Sequence, residues 1–420
     1  MATAVRPQTR REVLQVLTLL ARRKGDLFVY TTGHPPSYLA NRPEYVRHVL
    51  VDRAAQYSKD TPMNAGFDTT IARGLLTSEG EEWSRQRALM QPYFARRRMP
   101  AVADIVIEQF ELISQEWETA VATGTDIDLS LAMSWLTFRI TAMALFHVDT
   151  SAWDKRTAAL MNAALPVLCD LNAEAFREAQ VDIWTTAAKI VGERMHREPL
   201  DDLLGGLIAS GREESTSSAL REHVATMSLA GYETTATVCT WACYLLATNE
   251  SVADRLRRDI AEQTGDRPLR YEDVPAIPYL TAVVKETMRL YPPAWIIGRR
   301  ALESDRIGDT DIPVNSVVAI SPYTLHRHPR YWPDPEVFDP RRFISEEVER
   351  KHEAFSFIPF GAGPRTCIGS NFALVEAPLI IGRMVQRYRL ALANQDPVQP
   401  KGVFVLVPHE AIRMRLDAAA

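Results

Sequence analysis

The chain has 420 residues, 46% hydrophobic and 24% charged, the balance of an ordinary globular protein rather than a disordered or fibrous one. A formal net charge of −5 argues against nucleic acid as a main partner, and without a run of about 18 uncharged apolar residues no membrane span is readable. Four cysteines in a chain this long make no disulfide framework and fit a reducing cytoplasm.

The N-terminal stretch with Arg6, Arg10 and Arg11 is followed only by the interrupted VLQVLTLLA. It lacks the long apolar core and small-residue cleavage site of a signal peptide. Residues 27–33 and 36–42 read as two strands around a His-Pro-Pro turn. PEYVRHVLVD then has helical spacing, and residues 97–264 are almost wholly helix-patterned, with short polar breaks at VATGTDIDLS and ASGREESTSS. Cys239 and Cys243 sit four apart in an apolar helical stretch and read as packed thiols, since no further ligands stand nearby.

Past Tyr291 the texture changes: prolines cluster, and short β-rich pieces such as SVVAIS alternate with turns. A last apolar helix is expected from near Cys367 to about Tyr388, and GVFVLV is expected to be a strand of a hairpin. No repeat or linker divides the chain. The expectation is a mainly α protein with a small β-rich lobe (mainly 27–60 and 292–345) and a helical body (mainly 83–290 and 367–388). The whole of 1–420 reads as one domain, larger than most.

The most informative segment is FGAGPRTCIGSNFA, residues 360–373. A cysteine that binds a metal must be deprotonated, screened from water and held in one geometry. Gly361 and Gly363 permit a tight loop that turns backbone N–H groups towards the sulfur, and Pro364 stiffens it. Cys367 precedes a helix, whose N-terminus favours a thiolate. Gly369 lets that helix pass close to a flat cofactor. Arg365 can reach a carboxylate, and Phe360 is placed to shield the sulfur. Phe, Gly, Arg, Cys and Gly at these spacings arise by chance at a rate on the order of 10⁻⁵.

This segment resembles the haem-binding loop of the cytochrome P450 family, F-x-x-G-x-R-x-C-x-G, at every fixed position. The resemblance implies the cytochrome P450 fold, haem b (iron protoporphyrin IX) as cofactor, and Cys367 as its thiolate ligand, which favours O–O cleavage. With the haem implied, other segments acquire roles. KETMRLYPP carries Glu286 and Arg289 three apart on one helix face. Most such pairs are solvated and contribute under about 1 kcal/mol, but the apolar flanks suggest burial, and a buried pair needs a third partner. VFDPRRF offers Arg342, although Arg341 stands where the family usually has glutamate. The resemblance implies a structural triad that locks the β-rich lobe to the haem loop.

HVATMSLAGYETTATVCTWACYLLA reads as one long buried helix with Gly231, Glu233, Thr234 and Thr235 in its middle. A mid-helix glycine beside hydroxyls suggests a local kink or widened turn. AGYETT resembles the family's glycine, acid and threonine. By that likeness Ala230 packs on the haem, Thr234 holds bound oxygen and its water, and Glu233 relays protons from solvent. The acid–alcohol pair favours O₂-dependent monooxygenation over a peroxide-driven haem-thiolate enzyme or an isomerase, and over a haem-binding sensor without turnover.

Trp83 and Arg87, four apart in EEWSRQRALMQPYF, resemble the family helix that places both side chains on a haem propionate. Arg299 is the expected further cationic contact, with Arg300 the competing candidate. His326 reads as a packed or surface histidine without a clear role. The chain ends about 50 residues after the cysteine, so no fused reductase is expected. Electrons would come from a ferredoxin or flavodoxin with its reductase, with Arg85, Arg96, Arg97 and Arg98 as a basic docking face.

The family's variable pocket regions map here to residues 63–76, 161–176, 293–298 and 409–412. Phe67, Leu75, Leu171, Leu229, Ala294, Trp295 and Ile297 are the main expected wall of an apolar pocket. The expected substrate is a medium-sized apolar or aromatic small molecule, hydroxylated or oxidatively coupled in natural-product biosynthesis. The enzyme is expected to be a cytoplasmic monomer, without nucleic-acid or membrane partners.

Overall fold

The computed structural model describes residues 10–31, 35–61, 64, 74–153, 174–211 and 216–419. The helical spacing of the sequence resolves into α1 (Arg10–Lys24), α2 (Gly80–Met90), α3 (Met99–Thr123), α4 (Leu129–Phe146) and α5 (Glu174–Arg194). There follow α6 (Leu203–Ala209), α7 (Ser217–Thr248), α8 (Glu250–Thr264), α9 (Pro278–Leu290) and α10 (Ser370–Arg387).

The helix ends follow local chemistry. Asp128 caps α4 by accepting from the Leu131 N–H, and Thr216 caps α7 by accepting from the Ala219 N–H. Gly124 ends α3 in the left-handed conformation. The core of the body is α4 against α7. Thr137 on α4 donates to the Tyr232 carbonyl at 2.9 Å, and Phe138 meets the Tyr232 ring edge-on, 5.8 Å between centroids. Leu136, Ile140 and Leu229 are fully buried here, each such side chain contributing about 1.5–3 kcal/mol through removal from water. α4 is long and apolar enough to cross a membrane by composition. Its faces are instead covered by neighbouring helices, and its buried Arg139 donates to Gln109 at 2.8 Å.

The β-rich lobe is built on a sheet of β1 (Leu27–Thr31), β2 (Ser37–Ala40), β3 (Tyr57–Ser58), β5 (Ile297–Ala301) and β8 (Val317–Ile320), in the order β1-β2-β8-β5-β3. β2 and β8 run parallel, so residues 37–40 pair with 317–320 across most of the chain. The other pairings in this sheet are antiparallel. β4 (Ile127–Asp128), β9 (Tyr388–Leu392) and β12 (Arg413–Ala418) form a second sheet. β6 (Asp305–Ile307) pairs with β7 (Thr310–Ile312), and β10 (Pro400–Gly402) with β11 (Leu406–Pro408).

Three expectations change. α7 is α-helical throughout past Gly231, without a widened turn. The reason for glycine is contact: a Cβ there would lie 3.0 Å from Thr141 Cγ2 of α4. α10 starts at Ser370 rather than at Cys367, because residues 363–369 are used as a loop that Gly369 closes. GVFVLV is not one strand but the tip of the β10–β11 hairpin, with Val403–Phe404–Val405 as the turn.

Candidate active site

The body and the lobe enclose a cavity of about 610 Å³. The loop around Cys367 forms one wall, and Ala230, Gly231, Thr234 and Thr235 of α7 form another.

The loop is set by its own backbone. The Gly361 N–H donates to Ile358 O, the Thr366 N–H to Gly363 O and the Cys367 N–H to Phe360 O, each at 3.0 Å. Gly361 and Gly363 take φ of +71° and +70°, where an L side chain is strained. Gly363 also passes against the wide turn at His48–Asp52: a Cβ there would sit 1.8 Å from the Leu50 carbonyl oxygen. Cys367 is exposed to the cavity rather than enclosed on all sides. Removal from water pushes its thiol up, while the Gly369 N–H and the Arg87 charge pull it down. Phe360 and Gly369 also line the cavity.

One edge of the cavity is cationic. Arg87 donates to the Thr366 carbonyl at 2.8 Å and to Gln91 at 2.7 Å. Arg365 donates to the Ser78 carbonyl at 2.8 Å, pairs with Glu79 at 2.9 Å, and stacks 4.1 Å over the Trp83 ring. Arg299 is buried, and among the described residues it donates to the carbonyl of Gly298 at 2.9 Å. Burial, aided by the Arg365 charge, pushes its guanidinium down to about 10. Strand alternation separates the two adjacent arginines: Arg299 faces the cavity, while Arg300 pairs with Asp60 at 3.3 Å. Among the described residues, three guanidiniums thus share one contacting carboxylate, Glu79. A flat apolar ligand with two carboxylates fits this edge and the sulfur below it.

On α7, Thr234 donates to the Ala230 carbonyl at 2.9 Å. Glu233 lies buried just off the cavity wall with one carboxyl oxygen unbonded, and burial raises it to about 8. Behind them lies Glu376 of α10, which sequence reasoning missed. It is fully buried, neither carboxyl oxygen is bonded within normal geometry, and burial raises it to about 8, with Thr235 as its nearest hydroxyl. Its signal was a lone acid in the apolar run ALVEAPLII.

Glu286 and Arg289 are both fully buried. Arg289 donates to the two Glu286 oxygens at 2.7 and 2.8 Å, and to the carbonyls of His326, Pro335 and Val337. Arg342 stands 3.4 Å from Glu286, which also accepts from the Asp339 N–H at 2.9 Å.

The expected pocket wall is corrected in part. Leu75, Ala294 and Ile297 line the cavity. Leu229 does not: it faces the helical core from the far side of α7. Trp295 does not either. Its indole N–H donates to the Val403 carbonyl at 2.8 Å, and its ring packs on Gly402. Val403, Phe404 and Val405 line the wall, and residues 409–412 do not. Phe67, Leu171 and most of 161–176 lie outside the described residues.

The family model for cytochrome P450 matches residues 3–168 and 155–414 of this chain. Cyclooctatin synthase from Streptomyces melanosporofaciens is 32% identical over 419 residues, covering 93% of this chain and 88% of that protein. Cyclooctat-9-en-7-ol 5-monooxygenase from the same organism is 29% identical over 407 residues, covering 90% and 85%. The crystal structure of the cytochrome P450DA heme domain superposes with a TM-score of 0.86 over 97% of this chain and 92% of that one, at 24% identity, a likeness of fold.

Proposed function

This chain belongs to the cytochrome P450 family of haem-thiolate oxidoreductases, and on that premise we propose that it is a haem b monooxygenase of natural-product biosynthesis. The observation that carries the proposal is a single cavity lined by Cys367, by Thr234 and by three arginines.

Haem bound through a thiolate supplies the activation of O₂ with two electrons, one oxygen atom entering the substrate and the other leaving as water. Cys367 would ligate the iron. Arg87, Arg299 and Arg365, with the Trp83 indole, would hold the propionates, which answers the shortage of negative charge at that edge. Ala230 and Gly231 leave room for a flat ring against α7. The Thr234 hydroxyl already donates to Ala230 O, so its oxygen is free to accept, and its proton can be passed on. Glu233 is protonated near neutral pH and would resupply that proton. Glu286, Arg289 and Arg342 would act structurally, by fixing the lobe against the loop.

The cavity wall is apolar at Leu75, Met227, Ala294, Ile297 and Phe404, which suits a medium-sized apolar substrate and excludes water from the reaction. The two Streptomyces relatives, whose names are a synthase of cyclooctatin and a monooxygenase of cyclooctat-9-en-7-ol, support tailoring of such a product. A separate ferredoxin or flavodoxin would supply electrons at a face bearing Arg85, Arg96 and Arg97. Arg98 of the same face also pairs with Asp201 and stacks on Tyr93 at 4.8 Å.

The test is a library of apolar cyclic compounds screened by spin-state shift of the haem absorption. Hits are then turned over with a ferredoxin, its reductase, NADPH and ¹⁸O₂. One labelled oxygen atom per product is expected. Turnover that needs hydrogen peroxide and ignores the reductase would overturn the proposal in favour of a peroxide-driven enzyme.

A further inference from the structure

His326 is fully buried and bonded at both its backbone and its ring. Its carbonyl accepts from Arg289 Nη1 at 2.8 Å. Its Nε2 accepts from the Ile358 N–H at 2.9 Å. Its ring packs against Phe357, 5.1 Å between centroids. A backbone N–H can only donate, so the bond to Ile358 requires a lone pair on Nε2 and places the ring proton on Nδ1. Burial and the charges of Arg289 and Arg327 favour the same neutral ring, lowering its pKa to about 3.

The bonds continue from there. The Ile358 carbonyl accepts from the Gly361 N–H, and the carbonyl of Phe360 accepts from the Cys367 N–H, both at 3.0 Å. A single connected path therefore runs from the Glu286–Arg289 pair through His326 and Ile358 to the backbone of Cys367. Among the described residues Arg289 hydrogen-bonds Glu286 and the carbonyls of His326, Pro335 and Val337, so His326 carries the hydrogen bonds from the buried ion pair to the loop.

We propose that His326 is a positioning residue of the thiolate site, holding the Ile358 N–H through Nε2 and so fixing the loop that presents Cys367. The inference rests on Cys367 being the haem ligand. Leucine at 326 would leave the Ile358 N–H buried and unpaired and loosen the loop. Glutamine can place its Oε1 near the position of Nε2 and restore the acceptor.

The test uses the holoenzyme of the wild type, His326→Leu and His326→Gln. Reduced, carbon monoxide-bound samples report the ratio of the red-shifted thiolate band to the shorter-wavelength band of a neutral thiol. The expected result is a roughly tenfold rise in the neutral-thiol to thiolate ratio for His326→Leu, on the scale of one lost buried bond. His326→Gln is expected to return most of the way to wild type, and the midpoint potential to follow the same order. A His326→Leu protein that melts earlier but keeps the wild-type band ratio and potential would overturn the inference, leaving His326 a packing residue.

Should His326→Leu not fold, the ¹⁵N spectrum of the wild-type carbon monoxide complex decides. An unprotonated Nε2 at pH 7 supports the link, and a protonated Nε2 overturns it. A wild-type protein without any thiolate band would instead refute the assignment of Cys367 itself, so the two failures are distinguishable.

Discussion

Thr234 donates its hydroxyl to the carbonyl of Ala230 at 2.9 Å, one helical turn back, and both residues line the cavity that Cys367 enters. The bond holds the hydroxyl in one rotamer, with its oxygen available as an acceptor. Thr234→Ala removes both the acceptor and the proton that follows it. Product formation should fall by about 10²-fold, while NADPH consumption falls far less and the difference appears as hydrogen peroxide. Thr234→Ser should recover most of the coupling. Parallel assays of NADPH, product and peroxide check this.

Glu233 is raised from the ordinary 4.5 to about 8 by burial. It is therefore protonated below about pH 8 and ionised above. A step that draws its proton from this acid slows as pH rises through about 8. Glu233→Gln should lower turnover and abolish that alkaline limb. A pH series of product formation from 6 to 9, on both proteins, is the measurement.

Glu286 and Arg289 are each fully buried, and each satisfies the other with two hydrogen bonds. Glu286→Ala would strand the Arg289 charge in the interior. The expected loss is about 3–5 kcal/mol, read as a lower denaturation midpoint and lost haem content.

Gly363 combines φ of +70° with a Cβ position 1.8 Å from the Leu50 carbonyl oxygen. Gly363→Ala should cost about 3 kcal/mol, from backbone strain together with overlap that only backbone movement can relieve. Gly369 differs: a Cβ there meets Cys367 Sγ at 3.9 Å, ordinary contact. Gly369→Ala should leave haem-free stability nearly unchanged and reduce haem binding. Melting curves with and without haem separate the two cases.

The features legible in the sequence are those whose chemistry is local. The cysteine loop carries its glycines, arginine and helix start within ten residues, and Glu286 and Arg289 lie within one turn. The cytochrome P450 fold followed from the order of such segments. What stayed hidden depends on contacts between distant segments. The bond from Ile358 to His326 joins two loops that no periodicity relates. Arg299 and Arg300 are equivalent until β5 is paired with β8. Trp295 was expected on the pocket wall because it is apolar, but its indole N–H needs a carbonyl, and Val403 supplies one. Leu229 and Ala230 are neighbours in sequence, and only the rotation of α7 decides which of them meets the cavity.

The central claim, that Cys367 ligates haem iron as a thiolate, is tested most directly by the carbon monoxide difference spectrum of the reduced protein beside its Cys367→Ser variant. The wild type should show the red-shifted thiolate band, and the variant should lose it while retaining haem on Arg87, Arg299 and Arg365. A variant that kept the red-shifted band would contradict the account.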